Sequence, residues 1–217
     1  MNEYLGEKGQ DYYNIRKARR RDFVQSRRAS HFQPYIKQDH TVLDFGCGTG
    51  GILSRLNCGD KIGIELNPPS VAEAKGKGLT VYSDFSELKD NSIDVIISNH
   101  ALEHVRNPAA QLNEMRRVLK EDGQIILVVP SENPAKQRFS TWRQDDPDQH
   151  THSWTPLSFG NIIAQCGFQI ENVKRRPIGY SRYIEPLANI NEGLFQFARR
   201  IVAFYLDRYE IVCFAKK

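Results

Sequence analysis

Two carboxylates, a run of glycines and three histidines carry the chemical signal in this chain. Val42 and Leu43 lead into Asp44-Phe45-Gly46-Cys47-Gly48-Thr49-Gly50-Gly51, a pattern that reads as a buried strand, a glycine turn and a helix start near Gly51. Glycines there let backbone approach a ligand closely, and the helix start offers N–H groups to an anion. So many glycines cost backbone entropy that a purely structural turn would not need. Glu65 ends the next apolar run, Lys61-Ile62-Gly63-Ile64, and a carboxylate at such a strand tip can accept from both hydroxyls of a ribose. His100, His150 and His152 follow, side chains whose unperturbed pKa suits them to take a proton near neutral pH.

Gly46, Gly48 and Gly51 also satisfy the G-x-G-x-x-G pattern of dinucleotide-binding enzymes. Asp44 separates the two cofactor classes, because a carboxylate at the end of that strand would repel a pyrophosphate passing the same turn. S-adenosylmethionine has no phosphate. Its ammonium suits an aspartate and its carboxylate suits a helix N-terminus.

The stretch Asp44-Phe45-Gly46-Cys47-Gly48-Thr49-Gly50 resembles motif I of class I S-adenosylmethionine-dependent methyltransferases, and Asn99-His100-Ala101-Leu102-Glu103-His104-Val105 resembles the post-strand motif of their small-molecule, methyltransferase type 11-like branch. The resemblance covers about residues 41–130. It implies that Asp44, Gly46, Cys47, Gly48 and Gly50 form the cofactor turn and that Glu65, followed by Leu66, serves the ribose side. Asp84 would face the adenine amino group with Phe85 packed on the ring, Asn99 would fix the cofactor, and His100 would face the acceptor. Cys47 is read as a small residue of the turn, with no chemistry of its own. For Asp84 a turn cap is the competing role, and the turn around Glu103 and His104 commonly caps the pocket without doing chemistry.

The implied fold is α/β, a Rossmann-like, seven-stranded, mostly parallel sheet in the order 3-2-1-4-5-7-6 with helices on both faces. Apolar runs place strands near 42–45, 61–65, 79–84, 92–98 and 124–130, and helices near 68–77 and 108–119. Asn67-Pro68-Pro69-Ser70 mimics the Asn-Pro-Pro-aromatic motif of amino-group methyltransferases, but it follows the second strand and lacks the aromatic residue, so it reads as a helix start. Thr155-Pro156 opens a further helix closed by Gly167, before strands near 168–173 and 209–215. In the family those last strands pair through a short connection. Here residues 174–208 intervene, with Leu187, Ile190, Leu194, Phe197, Ala198, Ile201, Phe204 and Tyr205 at helical spacing. They read as a core helix or a homodimer helix over residues 187–206, with membrane-surface contact as the alternative.

Residues 131–155 are polar and follow the fifth strand, which makes them a candidate lid. If extended, His150 and His152 would point the same way toward the acceptor, with Trp154 as an apolar wall; a pair of satisfied loop histidines is the competing role. Arg16, Lys17, Arg19, Arg20, Arg21, Arg27 and Arg28 crowd a helical segment near 15–32. This reads as a solvated basic cap over the cleft, with a polyanion contact as the alternative.

With 217 residues, 40% of them hydrophobic, the chain fits one methyltransferase domain over 1–217: a basic N-terminal helical cap (1–40), a cofactor-binding core (41–130), and a substrate lid, added helix and last strands (131–217). No apolar signal core or membrane-length run stands out, so a cytoplasmic protein without a transmembrane segment is expected. The cysteines form no C-x-x-C pair and read as reduced thiols. No metal is expected, because Glu103, His104, His150 and His152 show no ligand spacing beyond His150-x-His152. The leading reading is S-adenosylmethionine-dependent transfer of a methyl group to an oxygen or nitrogen of a small-molecule acceptor. A nicotinamide-dependent oxidoreductase and a nucleic-acid-binding protein or RNA methyltransferase using the basic N-terminus are the alternatives.

Overall fold

The computed structural model describes residues 6–19, 21–131, 141–142, 149–178 and 180–217. Seven strands make one sheet: β1 (Val42–Phe45), β2 (Lys61–Ile64), β3 (Thr80–Tyr82), β4 (Ile93–Asn99), β5 (Leu119–Ser131), β6 (Gln169–Pro177) and β7 (Tyr209–Lys216). Their spatial order is 3-2-1-4-5-7-6, as the family resemblance implies. The first five strands are parallel, and β7 runs antiparallel between β5 and β6.

Strand periodicity sorts the core into two layers. Leu43, Phe45, Ile125, Leu127 and Val129 pack on one sheet face with α4 (Pro108–Val118) and α5 (Pro156–Gln165). Val42, Ile126 and Val128 pack on the other with α2 (Asp22–Phe32) and α3 (Pro68–Gly76). Asn67 caps α3 by accepting from Ser70 N at 3.1 Å, so the Asn-Pro-Pro stretch is a helix start, as read from sequence. Thr155 and Ser158 form a capping box on α5. Gly167, at φ +85°, lies just beyond its end.

Three expectations need correction. No α-helix begins at Gly51: the chain turns into a short 3-10 helix, Leu53–Arg55, and reaches β2 at Lys61, since the connection is too short for a full helix and its return. The basic N-terminal helix is two helices, α1 (Gly6–Arg19) and α2, because Arg21 is extended (φ −113°, ψ 133°) and Asp22 restarts the helix with an acid in its first turn. The insertion between β6 and β7 folds as α6 (Leu187–Ile190) and α7 (Glu192–Leu206), but its apolar stripe is not core. α7 buries Phe195, Arg199 and Ala203 instead. Leu194, Phe197, Ile201, Phe204 and Tyr205 face outward, because the two stripes lie about half a helical turn apart.

Residues 132–140 and 143–148 of the expected lid lie outside the described residues, as do the side chains of Arg16, Lys17, Arg19 and Arg20. No helix among the described residues is long and apolar enough to cross a membrane.

Candidate active site

The carboxyl ends of the parallel strands converge on one edge of the sheet, where α/β folds bind ligands. The tips of β1 and β4 are locked together, with Ser98 Oγ donating to Phe45 O at 2.9 Å. A Cβ on Gly46 would come within 2.4 Å of Ala101 Cβ, and one on Gly50 within 2.2 Å of Leu79 Cδ1. Both glycines also have φ near +70°. The glycine turn is therefore wedged between the loop after β4 and the α3–β3 connection, a close approach that side chains would block.

Asp44, at 2% exposure, lies under this turn. Burial, reinforced by the charge of Glu65, raises its pKa to about 8, so near neutral pH it holds a proton in the protein alone. Glu65 spans the turn. Its Oε2 accepts from Gly48 N and its Oε1 from Leu66 N and Asn67 N, each at 2.8 Å. The N–H groups of Gly46 and Cys47 go to Ile64 O, and that of Gly50 goes to Cys47 O. The anion cradle expected from sequence is thus largely spent on the turn itself. Glu65 is thereby fixed at the tip of β2 by three backbone N–H groups. Leu66 beside it is exposed.

The Cys47 thiol fills the space over Gly63, and burial pushes its pKa up, which suits an inert packing role. Asp84 caps its own turn, accepting from Ser86 N at 2.8 Å, and those hydrogen bonds hold its carboxyl below the usual range. Phe85 is buried and stacks on Phe45 with ring centroids 5.7 Å apart.

Beyond β4 the geometry becomes unusual. Asn99 Oδ1 is buried with no hydrogen-bond partner among the described residues, a cost tolerated where a ligand completes the site. His100 adopts φ 59°, a left-handed conformation rare for a side-chain-bearing residue and frequent at functional sites. Its N–H donates to Val128 O at 2.9 Å. Its Nε2 lies 3.1 Å from Glu210 Oε2, and its Nδ1 lies 3.8 Å from Glu103 Oε1.

Glu210 is the residue that sequence reading passed over. It stands near the start of β7, 110 positions from His100, and only the sheet order brings it there. Arg176 of β6 is its register partner and ion-pairs with it. Burial alone would raise the Glu210 pKa, but the His100 hydrogen bond and the Arg176 charge outweigh it and bring it to about 2. A charged residue inside an otherwise apolar strand was the available signal.

The segment carrying the other histidines is pinned to the turn after β4. Thr151 N and His152 N both donate to Glu103 O, at 2.8 and 3.2 Å. His150 meets the His104 ring edge-on at 4.9 Å, whereas His152 stacks on Trp154 at 5.5 Å. Trp154 is buried in the core against Phe159. Donor atoms of Glu103, His104 and His150 lie within 4.8 Å of one another, a juxtaposition that sequence spacing did not reveal.

Residues 15–173 match the family model described as Methyltransferase domain. A malonyl-[acyl-carrier protein] O-methyltransferase of Yersinia pestis is 28% identical over 152 residues, 65% of this chain and 56% of the relative. A ubiquinone biosynthesis O-methyltransferase of Cereibacter sphaeroides is 27% identical over 174 residues, 68% of this chain and 70% of the relative. Several curated relatives are matched over only 42% to 56% of their own length. A SAM-dependent methyltransferase from Archaeoglobus fulgidus has a similar fold, with a TM-score of 0.64 at 21% identity over 93% of this chain and 96% of that one.

Proposed function

The chain belongs to the class I S-adenosylmethionine-dependent methyltransferases, and from that premise we propose that it methylates a hydroxyl oxygen of a small molecule, with His100 as the base. The observation that carries the proposal is the left-handed His100 held 3.1 Å from the buried Glu210.

Bound S-adenosylmethionine supplies a methyl group on a sulfonium that departs as a neutral thioether, so the leaving group needs no acid. Asp44 would hold the cofactor ammonium, giving up its proton to do so. Glu65 would accept from the ribose, Leu66 would offer an apolar surface to the adenine, and Asn99 Oδ1 would accept from a cofactor N–H. Asp84 and Phe85 act one step back in this scheme, Asp84 by shaping the turn and Phe85 by bracing Phe45. Much of the rate then comes from alignment of acceptor and cofactor.

A hydroxyl acceptor carries a proton that must leave as the new bond forms. An ionised Glu210 only accepts, so the proton between it and His100 resides on Nε2, and Nδ1 is the nitrogen that takes up the acceptor's proton. Glu210, fixed by Arg176, positions the ring and stabilises the resulting imidazolium. Two relatives named as O-methyltransferases favour oxygen over nitrogen. His150, packed on His104, would line the acceptor side.

The test begins with a panel of hydroxyl-bearing compounds, scored by mass spectrometry for the added methyl group. On the acceptor so found, His100→Ala should lower turnover by about 10²-fold or more, with cofactor affinity within about threefold of the parent. Full turnover in His100→Ala would refute the assignment of the base.

A further inference from the structure

The insertion between β6 and β7 carries eight of the twelve large exposed hydrophobic residues found among the described residues. On α7 they form one stripe, with Phe197 63% exposed, Phe204 72% and Tyr205 79%, joined by Leu194 and Ile201. Tyr183 and Ile190 of the same insertion are exposed as well. The opposite stripe of α7 is fully used: Phe195 packs edge-on against Phe23, and Arg199 donates to Pro177 O at 2.7 Å. The outer face is therefore not needed to hold the helix in place, and exposed apolar residues grouped on one face mark an interaction site.

Charge identifies the occupant. Each acid of the insertion is already engaged within the chain: Glu185 with Arg21, Glu192 with Arg27 at 2.8 Å and Asp207 with Arg175 at 3.2 Å. Arg182, Arg200 and Arg208 have no carboxylate partner among the described residues. Arg200 also lines a recess of about 670 Å³ together with Ile201, Phe204, Tyr205, Tyr209 and Pro177. An isologous dimer would bring this patch against itself, setting cation toward cation with no spare acid of the insertion among the described residues to answer. A surface both apolar and anionic answers both features. We propose that α7 and its flanks dock on an anionic phospholipid bilayer, the aromatic and aliphatic side chains entering the acyl boundary while the arginines meet headgroup phosphates.

This proposal does not depend on the identity of the methyl acceptor. It is tested by floating the full chain with vesicles of phosphatidylcholine alone and of phosphatidylcholine with one-quarter phosphatidylglycerol. Binding to the anionic vesicles is expected at least about tenfold above the neutral ones, and it should weaken at high salt. Phe197→Ser with Phe204→Ser, and separately Arg200→Glu, should each lower it about tenfold or more, with an unchanged thermal midpoint because these side chains are exposed. No flotation with the anionic vesicles, or equal flotation of the variants, overturns the proposal. So does a dimer in sedimentation equilibrium that hides the patch and that the Phe197→Ser, Phe204→Ser variant dissociates.

Discussion

The buried Asp44 makes cofactor affinity depend on pH. Its pKa of about 8 means that at pH 6 about 1% of the free protein carries the carboxylate needed to face an ammonium. Binding through the ionised form is then weakened about 100-fold relative to its plateau, or about 2.7 kcal/mol, and affinity should rise about tenfold per pH step toward 8. An α-amino group ionises near pH 7.7 to 8.0, so measurements from about pH 5.5 to 7.5 keep the ligand charged. Isothermal titration with S-adenosylmethionine in two buffers of different ionisation enthalpy should detect close to one proton released per binding event. Asp44→Asn should bind weakly and lose the pH dependence. The same group sets a stability trend: its folded pKa lies above the unfolded value of about 3.8, so the protein without cofactor loses stability as pH rises from there toward 8. Asp44→Asn should melt at a higher temperature at pH 8. A flat affinity profile without proton release refutes the reasoning.

Glu65→Ala should weaken S-adenosylmethionine binding by about 1 to 3 kcal/mol by isothermal titration, since it leaves Gly48 N–H and a ribose hydroxyl without an acceptor. Glu210 has a folded pKa of about 2, below its unfolded value of 4.5, so its stabilisation is complete above pH 4.5 and is lost as pH falls toward 2. Acid titration of the thermal midpoint should show that loss, and Glu210→Gln should remove it. A chelator should leave turnover unchanged, because sulfonium chemistry needs no Lewis acid; activity restored by stoichiometric zinc would instead assign a metal to Glu103, His104 and His150.

The parallel half of the fold was legible because its signals are local. A strand covered on both faces must be apolar where it crosses the core, as β4 is at Val95, Ile96 and Ile97 and β5 from Ile125 to Val129, and Asn67 before two prolines can hardly be anything but a helix cap. Gly46 and Gly50 were recognisable as a turn, but not the reasons for them, which are Ala101 and Leu79 from distant segments. The missing helix after Gly51 illustrates the converse, a local pattern overruled by the short distance left before β2. The α7 stripe misled for a physical reason: periodicity shows that one helix face is apolar, but not whether that face meets protein. Its packed face uses Phe195, Ala203 and a buried Arg199, a combination without an apolar signature.

Glu210 and Arg176 were hidden for a further reason that bears on the insertion itself. They face each other in the β6–β7 ladder, with Pro177 and Tyr209 forming the next pair outward. Everything from Ile178 to Arg208 is therefore added beyond the point where the positioning of His100 is already secured by strand register. A tight hairpin at Pro177 and Tyr209 would keep the same ion pair. Strand register alone sets Arg176 opposite Glu210, and the exposed aromatic face of the long connection calls for a separate explanation, which the proposed anionic bilayer provides on grounds of charge.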